Sequence, residues 1–226
     1  MSMYFKAFES AYCINLDDDI DRYKDISSKY PDINRFRGIK RCNGRQGCAM
    51  SHTAVIRDAK RRDLKNVLIL EDDIQVNVSR GKPFFDRVFG VLEDIDWSVL
   101  KLGYALEGDS TGHRISPDII QADNTWGMHA YVVNSKYYDV FLTSQRQEEI
   151  DSIDTLTEAK RTRLSHDSFV HNNPAFKKTT FCCTPLLIIQ ANSYSTTAQK
   201  FIRRGLRQRR QFRKHIKRFK YIDKQQ

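Results

Sequence analysis

An uninterrupted apolar run, VLIL at residues 67–70, is followed directly by the acidic triplet EDD at residues 71–73. A short, wholly apolar run is typical of a central strand that helices cover on both faces. Ligands in open α/β sheets gather beyond the carboxyl ends of the strands, so the triplet lies where such proteins usually carry out their chemistry. The run therefore predicts an α/β fold and indicates where its site lies.

Strands and helices are predicted to alternate along the rest of the chain. Residues 11–16 have the pattern of a buried strand, and the Asp17-Asp18-Asp19 cluster is predicted to cap a helix that continues through Tyr30. Residues 44–62 show the three- and four-residue apolar spacing of a helix. Further strands are predicted at 33–39, 98–102, 130–133 and 185–189, and a further helix at 84–92. Such alternation favours a mainly parallel central sheet flanked by helices.

Positive charge is concentrated at the end of the chain. Residues 200–226 contain twelve Lys and Arg and one acidic residue, whereas the preceding 199 residues contain 26 basic and 27 acidic side chains. We therefore predict a nearly neutral domain at 1–199 and a basic, amphipathic, helical tail at 200–226. The apolar residues of the tail are Phe201, Ile202, Leu206, Phe212, Ile216 and Phe219.

Three partners suit such a tail. A basic helix with bulky apolar residues can lie on an anionic membrane, and this is the favoured interpretation for residues 200–220. Nucleic acid is the less favoured partner, and simple packing on the domain is the third alternative. Because no apolar run approaches the length of a spanning helix and no secretory signal is recognisable, we expect a cytoplasmic protein with, at most, peripheral membrane contact.

The five cysteines are expected to be reduced, because two of them are adjacent and an odd number cannot all pair internally. Cys42, Cys48 and His52 together suggest a zinc site, but their spacing is not a standard one and the sequence offers no evident fourth ligand. Zinc is therefore a minor alternative at this stage.

The acidic triplet suits a hard divalent cation. Alternate residues of an extended chain point the same way, so Glu71 and Asp73 are expected to share a target while Asp72 turns aside. Clustered carboxylates are ligands for Mg²⁺ or Mn²⁺, which can in turn hold the phosphates of a nucleotide. The structural alternative is that acidic residues end a strand and cap the next element. Three neighbouring like charges repel one another by roughly several kcal/mol at an intermediate effective dielectric constant. This repulsion favours a compensating cation.

Several segments resemble glycosyltransferase family 25, which includes lipopolysaccharide galactosyltransferases and collagen hydroxylysine galactosyltransferases. Residues 11–22 (AYCINLDDDIDR), 44–52 (GRQGCAMSH) and 67–74 (VLILEDDI) are similar to its opening motifs in order and spacing. Residues 126–134 (WGMHAYVVN) and 185–195 (PLLIIQANSYS) resemble later ones, as does HDSF at 166–169. The segment between Ile74 and Trp126 shows no recognisable match, which leaves the acceptor undefined.

The resemblance implies a GT-A-like fold. It also implies an inverting, metal-dependent transfer of a hexose from a nucleotide sugar to a glycan or glycoprotein acceptor, with a UDP-sugar as the favoured donor. It implies Mn²⁺ or Mg²⁺ held by Glu71 and Asp73. It implies Asp167 as the general base and His52 as a second catalytic residue, with Asp151, Asp154 and His166 as rival bases. The implied donor-binding residues are Asn15, Arg22, Gly47, Ser51, Asp72, Trp126 and Gln190.

Each of these side chains also has a purely structural interpretation. Asn15 can bond a turn, Arg22 can be a solvated helix charge, and His52 can be a satisfied structural histidine. Asp167 can cap the helix that starts near residue 168, and Trp126 can belong to the core. Two other functional classes stay open: a metal-dependent phosphodiesterase or nuclease, and a non-catalytic module that binds anionic partners.

Overall fold

The computed structural model describes residues 5, 7–107, 110–157, 160, 165–191, 193–195, 200–202 and 204–221. Within these residues the chain forms an α/β fold with an eleven-stranded mixed sheet flanked by helices, together with a separate two-stranded sheet. The strands are β1 Ala11–Asn15, β2 Asn34–Arg37, β3 Asn66–Glu71, β4 Ile74–Val76, β5 Val99–Leu106, β6 Gly112–Ser116, β7 Ile119–Ala122, β8 Thr125–Asn134, β9 Thr180–Cys183, β10 Ile188–Gln190, β11 Ser193–Ser195, β12 Lys200–Ile202 and β13 Lys220–Tyr221.

The described α-helices are α1 Ile20–Lys29, α2 Gly44–Arg61, α3 Lys82–Leu92, α4 Tyr138–Phe141, α5 Ser144–Ser152, α6 His166–Asn172, α7 Pro174–Lys177 and α8 Arg204–His215. Helix α2 begins where the sequence predicts, and the Asn43 side chain caps it by accepting a hydrogen bond from the Arg45 backbone N–H at 3.0 Å. Gly47 lets the preceding loop approach, because a Cβ there would lie 2.4 Å from the Ile39 carbonyl oxygen.

Strand β3 is covered on both faces, as its apolar run predicts. Leu68 and Leu70 belong to a core cluster shared with α3, whereas Val67 and Ile69 belong to a second cluster shared with α2. All four side chains are fully buried. A continuous apolar strand is stable here because alternate side chains enter different hydrophobic layers.

The sheet is mixed, so the prediction of a mainly parallel sheet is only partly right. Strand β1 pairs parallel with both β2 and β3, and β5 pairs parallel with β9 and β10. Strand β8, however, lies antiparallel between β3 and β5, and β7 is antiparallel to both β6 and β9. Between β5 and β8 the chain forms the antiparallel pair β6 and β7 where the alternation of strands and helices predicted a helix.

Two local predictions are corrected. The Asp17-Asp18-Asp19 run forms a short 3-10 turn without a side-chain cap bond. Instead, Asp17 accepts hydrogen bonds from Arg35 and Arg37, and these bonds lower the pKa of its exposed carboxyl. The strand predicted at 185–189 is shorter, β10 starting only at Ile188. Pro185 has no N–H for a ladder, so the residues that follow it reach the sheet later.

The basic tail packs against the sheet. Helix α8 contacts β5 and β10, and Phe219 is buried in a third core cluster with Tyr104 and Leu106, while Phe212 and Ile216 pack at its margin. Leu206 is 64% exposed, and the side chains of Phe201 and Ile202 lie outside the described part of the structure. The boundary predicted at 199/200 stays a prediction. Among the described residues, no helix combines the length and apolar character that crossing a bilayer requires.

Candidate active site at the carboxyl edge of the sheet

Four strands meet at one edge of the sheet. The carboxyl ends of β1, β3 and β10 lie there, and the antiparallel β8 brings its amino-terminal half to the same edge. The acidic triplet follows β3 at this edge, with Ile14 paired to Glu71 and Gln190 paired to Ile74. Residues distant in sequence are therefore assembled around residues 71–73.

Asp72 turns away from its two acidic neighbours. Its carboxylate accepts a hydrogen bond from Asn15 Nδ2 at 2.7 Å and pairs with Arg22 at 3.3 Å. Asn15 is buried, donates also to the Asp19 carbonyl, and accepts from Arg35 Nε at 2.9 Å. Burial raises the pKa of Asp72, against the opposing effects of the Asn15 hydrogen bond and the Arg22 charge. Asn15 thus fixes Asp72, and Arg22 is paired rather than simply solvated.

Glu71 and Asp73 converge on a single neighbour. The Gln190 amide nitrogen lies 3.2 Å from Glu71 Oε2 and 3.4 Å from Asp73 Oδ2. Gln190 is itself buried, and its backbone N–H donates to Gln208 Oε1 of α8 at 2.8 Å. Two carboxylates and one amide, which carries an oxygen as well as a nitrogen, therefore surround one point at the sheet edge.

A chain of polar contacts among buried side chains continues from Glu71. His52 Nε2 lies 3.5 Å from Glu71 Oε1, and His52 Nδ1 is 2.8 Å from the Tyr131 hydroxyl. The same hydroxyl is 2.9 Å from His166 Nε2, and the two imidazole rings stack with centroids 4.4 Å apart. Burial is the main cause that holds the pKa of His166 well below its ordinary value, and the neighbouring His52 adds to the effect. His52 is thus part of a buried network of polar side chains that ends on the acidic triplet.

Asp167 is held by the backbone of β8. Both of its carboxylate oxygens accept from the Gly127 N–H, at 3.0 and 3.2 Å. Ser165, not Asp167, caps helix α6 by accepting from the Ser168 N–H. Burial raises the pKa of Asp167, and the nearby Lys101 charge opposes that rise. Trp126 stacks on His171 of the same helix with centroids 4.1 Å apart, which gives Asp167 an aromatic neighbourhood.

Gly47 and Ser51 support the loop before α2. Ser51 is buried, donates its hydroxyl to the Gly47 carbonyl at 2.7 Å, and accepts from the Ile39 N–H at 2.8 Å. With no Cβ at Gly47, this loop packs directly on the helix. The structure thus shows both residues in contact with the loop before α2.

The rival bases have different surroundings. The Asp151 carboxylate accepts from Gln147 on the exposed side of α5. His166 is 3% exposed and belongs to the Tyr131 network. The Asp154 side chain lies outside the described part of the structure. The assignment of the general base to Asp167 rather than to one of these rivals stays a prediction.

Sequence reasoning missed three residues of this region. Tyr131 joins His52 to His166, and no local pattern distinguished it from the other buried residues of β8. Lys101 is 1% exposed and donates to the Thr125 carbonyl at 2.9 Å. A lysine inside an otherwise apolar strand is rare enough to have signalled a special environment. His171, which stacks on Trp126, carried no such signal.

Residues 38–82 match the family model described as glycosyltransferase family 25 (LPS biosynthesis protein). This segment contains α2 and the acidic triplet, so the match confirms the family resemblance for that part of the candidate site. The matched activity class is glycosyl transfer. The other resembling segments, at 11–22, 126–134, 166–169 and 185–195, lie outside the match. No curated protein sequence matches the chain significantly.

Several solved structures share a similar chain course. One is A197 from STIV, with 10% identity, TM-score 0.46, and 85% of this chain and 93% of that chain covered. A second is described as mannose-1-phosphate geranyltransferase from Thermus thermophilus, with 9% identity, TM-score 0.44, and 76% and 58% covered. A third is a glycosyltransferase involved in glycosylation of the major capsid of PBCV-1, with 10% identity, TM-score 0.37, and 77% and 93% covered. At these TM-scores no property of those proteins is transferred to this chain.

Proposed function

We propose that this protein is an inverting, metal-dependent glycosyltransferase of the GT-A type that moves a hexose from a nucleotide sugar, UDP-sugar first, to a hydroxyl of a glycan or protein acceptor. The observation that carries the proposal is the convergence of Glu71 and Asp73 on Gln190 at the end of β3. It lies inside the segment that matches family 25, where a nucleotide diphosphate would need a cation.

The donor atoms at this point suit Mn²⁺ or Mg²⁺. Both ions prefer carboxylate and carbonyl oxygens, and rotation of the Gln190 amide would replace its nitrogen by its oxygen. Glu71 and Asp73 would hold the ion, which supplies charge compensation for the departing diphosphate. Asp72 is occupied by Asn15 and Arg22 and would act on the nucleotide side of the donor, as those two residues would.

Asp167 is the proposed general base. An inverting transfer needs a group that takes the acceptor hydroxyl proton as the hydroxyl attacks the anomeric carbon. A carboxylate whose pKa is raised by burial is a stronger base than an exposed one. The paired Gly127 contacts hold it in one orientation, and the stacked Trp126 and His171 rings offer an apolar face for a sugar. His52 would act by orienting Glu71.

Nucleotide-sugar binding and slow donor hydrolysis, measured over a panel of donors with and without Mn²⁺, test the proposal. We expect one UDP-sugar to bind in a Mn²⁺-dependent way and the Asp73→Asn variant to lose nearly all activity at an unchanged thermal midpoint. The matched control is Asp86→Asn, which removes a carboxylate that pairs with Lys82 on the exposed face of α3.

Other outcomes would assign the protein elsewhere. More than about a tenth of wild-type activity in Asp73→Asn would remove the metal role, since a tenfold change corresponds to only about 1.4 kcal/mol. Cleavage of phosphodiesters without donor binding would indicate the phosphodiesterase or nuclease class. Absence of both activities would indicate a binding module.

We also propose peripheral attachment to an anionic membrane surface through residues 200–220. Phe212, Ile216 and Phe219 pack inward, so the contact would be made chiefly by charge. The exposed cations are Arg207, Arg210, Arg213, Lys214, Lys217, Arg218 and Lys220. Among the described residues the two large apolar side chains that are most exposed, Leu206 and Tyr221, also lie in or beside this segment, and each could enter the headgroup layer.

A further inference from the structure

We propose that Cys48, His52 and Glu71 form a second cation site, selective for a thiophilic divalent ion such as Zn²⁺. Cys48 and His52 are four residues apart on α2, so their side chains share one face of the helix. That face is directed at the end of β3. One ligand atom from each of the three residues, a sulfur, an imidazole nitrogen and a carboxylate oxygen, lies within 4.8 Å of the other two.

The spacing of these atoms fits a small ion. Ligand atoms at about 2.0–2.3 Å from a tetrahedral Zn²⁺ lie roughly 3.3–3.8 Å from one another. His52 Nε2 and Glu71 Oε1 are already 3.5 Å apart. The Cys48 Sγ lies within 4.8 Å of both partners, so a shift of about 1 Å in the sulfur would complete the tetrahedral spacing. Three protein ligands leave the fourth position open, as in catalytic rather than structural zinc sites.

The ligand chemistry distinguishes this site from the proposed Mn²⁺ site. Thiolate and imidazole favour Zn²⁺, whereas sets of oxygen ligands favour Mn²⁺ and Mg²⁺. The two Glu71 oxygens contact different neighbours, Oε1 on the His52 side and Oε2 on the Gln190 side. Glu71 therefore separates a soft site next to α2 from a hard site next to Asp73. The inference stands on these contacts and does not require glycosyl transfer.

The surroundings already orient the imidazole as a ligand. A metal-binding histidine usually donates its other ring N–H to a fixed acceptor, and His52 Nδ1 is 2.8 Å from the Tyr131 hydroxyl oxygen. With the ion bound, Nδ1–H donates to that oxygen, and the hydroxyl donates to His166 Nε2 at 2.9 Å. The Nε2 lone pair then faces the ion. Binding replaces the Cys48 thiol proton by the ion, and that proton leaves to solvent.

Cobalt substitution tests the site through a signal that does not depend on activity. The full chain, stripped by a chelator, is titrated with Co²⁺, whose bond to a thiolate absorbs in the near ultraviolet. We expect one Co²⁺ per chain with this absorption in the wild type, displacement by Zn²⁺, and loss of the absorption in Cys48→Ser. The matched control is Cys42→Ser, which changes an exposed cysteine six residues earlier and should keep the absorption.

Two further variants separate this site from its neighbours. Tyr131→Phe should keep the cobalt–thiolate band but weaken Co²⁺ binding by about 10- to 100-fold, because the hydroxyl that orients His52 is lost. Asp73→Asn should keep the band at wild-type affinity, since Asp73 belongs to the hard site.

Three results would overturn the proposal: no cobalt–thiolate absorption in the wild type, absorption that persists in Cys48→Ser, or absorption that disappears in Cys42→Ser. Should Cys48→Ser fail to fold, X-ray absorption of the wild-type cobalt form decides instead. One sulfur and at least one imidazole in the coordination shell support the site, and any other sulfur count refutes it.

Discussion

Helices α2 and α8 both reach the acidic edge of the sheet, but they reach it with different kinds of side chain. Helix α2 presents side chains that can take part in chemistry, with His52 3.5 Å from the Glu71 carboxylate. Helix α8 contacts the backbone of Gln190 through Gln208, whose Oε1 accepts from the Gln190 N–H. Helix α2 brings a side chain to the Glu71 carboxylate, whereas α8 positions a residue that contacts both Glu71 and Asp73.

The difference changes how the basic tail is understood. A Cβ at Gly205 would lie 2.6 Å from the Gln190 carbonyl oxygen, so α8 packs closely on β10. Its outward side carries exposed cations, among them Arg210 and Arg213. The same helix therefore supports the site on one face and offers a charged surface on the other. Deleting it would disturb both roles, whereas point substitutions can separate them.

Asp167 lies on neither α2 nor α8, and the effect of its substitution is the reference for the variants on those two helices. Asp167→Asn is expected to reduce turnover by about 10²- to 10⁴-fold, the range typical of a lost general base. Donor affinity should change little, because a base acts in the transition state. Steady-state rates beside calorimetric donor binding measure both quantities. Wild-type turnover in this variant would transfer the role to Asp151, Asp154 or His166.

The same variant should be more stable than the wild type at neutral pH. Burial raises the Asp167 pKa, so the folded state holds this proton more tightly than the unfolded state. The wild type therefore loses stability as pH rises from the ordinary Asp pKa of 3.8 through the raised folded value. The advantage of Asp167→Asn should be present above that window and vanish below it. Thermal midpoints from pH 3 to 8, roughly the range around the ordinary Asp pKa and above it, check this.

On α2, His52→Ala should lower turnover by about 10- to 100-fold, the loss usual when a residue that orients a ligand is removed. It should also destabilise the fold, because the buried Tyr131 hydroxyl loses a partner at a cost of about 1–3 kcal/mol. Arg57→Ala on the exposed side of the same helix is the control, and its free energy of unfolding should change by less than about 0.5 kcal/mol. Equal turnover in the two variants would reduce α2 to a packing element.

On α8, Gly205→Ala should destabilise the protein by about 1–3 kcal/mol, because the new methyl group is forced against the Gln190 carbonyl. Affinity for Mn²⁺ should fall with it. The matched control is Gly90→Ala in α3, where a Cβ would meet nothing within 4 Å. That control should stabilise by about 0.5–1 kcal/mol. Denaturant unfolding and Mn²⁺ titration of both variants measure these effects. Equal stability and equal Mn²⁺ affinity in the two variants would contradict the positioning role.

The smallest effects on the fold are expected from exposed cations on α8 and on the short 3-10 turn that follows it. Arg213→Gln and Lys217→Gln should each change stability by less than about 0.5 kcal/mol. Each should weaken co-sedimentation with anionic vesicles by about 1 kcal/mol, roughly fivefold, at low salt. Lys177→Gln and Lys178→Gln, also exposed, are the controls. Binding that is insensitive to salt, or equal loss in the control pair, would argue against a membrane-facing tail.

Much of the local structure could be predicted because it is recorded in short-range patterns. The apolar spacing of residues 44–62 defines α2 almost to the residue. The VLIL run defines β3. Strands β6 and β7 were not recognised, because each has only four or five residues and is stabilised by pairing with other strands rather than by a strong pattern of its own.

The sequence by itself determined the α/β class, the position of the acidic triplet at the end of a buried strand, and the family resemblance of residues 38–82. Only the tertiary structure decided that Cys48 and His52 face Glu71, that Tyr131 joins two histidines, and that α8 supports Gln190. The physical reason is the separation in sequence of the residues that make each feature. Hydrophobic periodicity is a property of neighbouring residues, whereas these contacts join positions that the sheet brings together from up to 119 residues apart, as for Gln190 and Glu71.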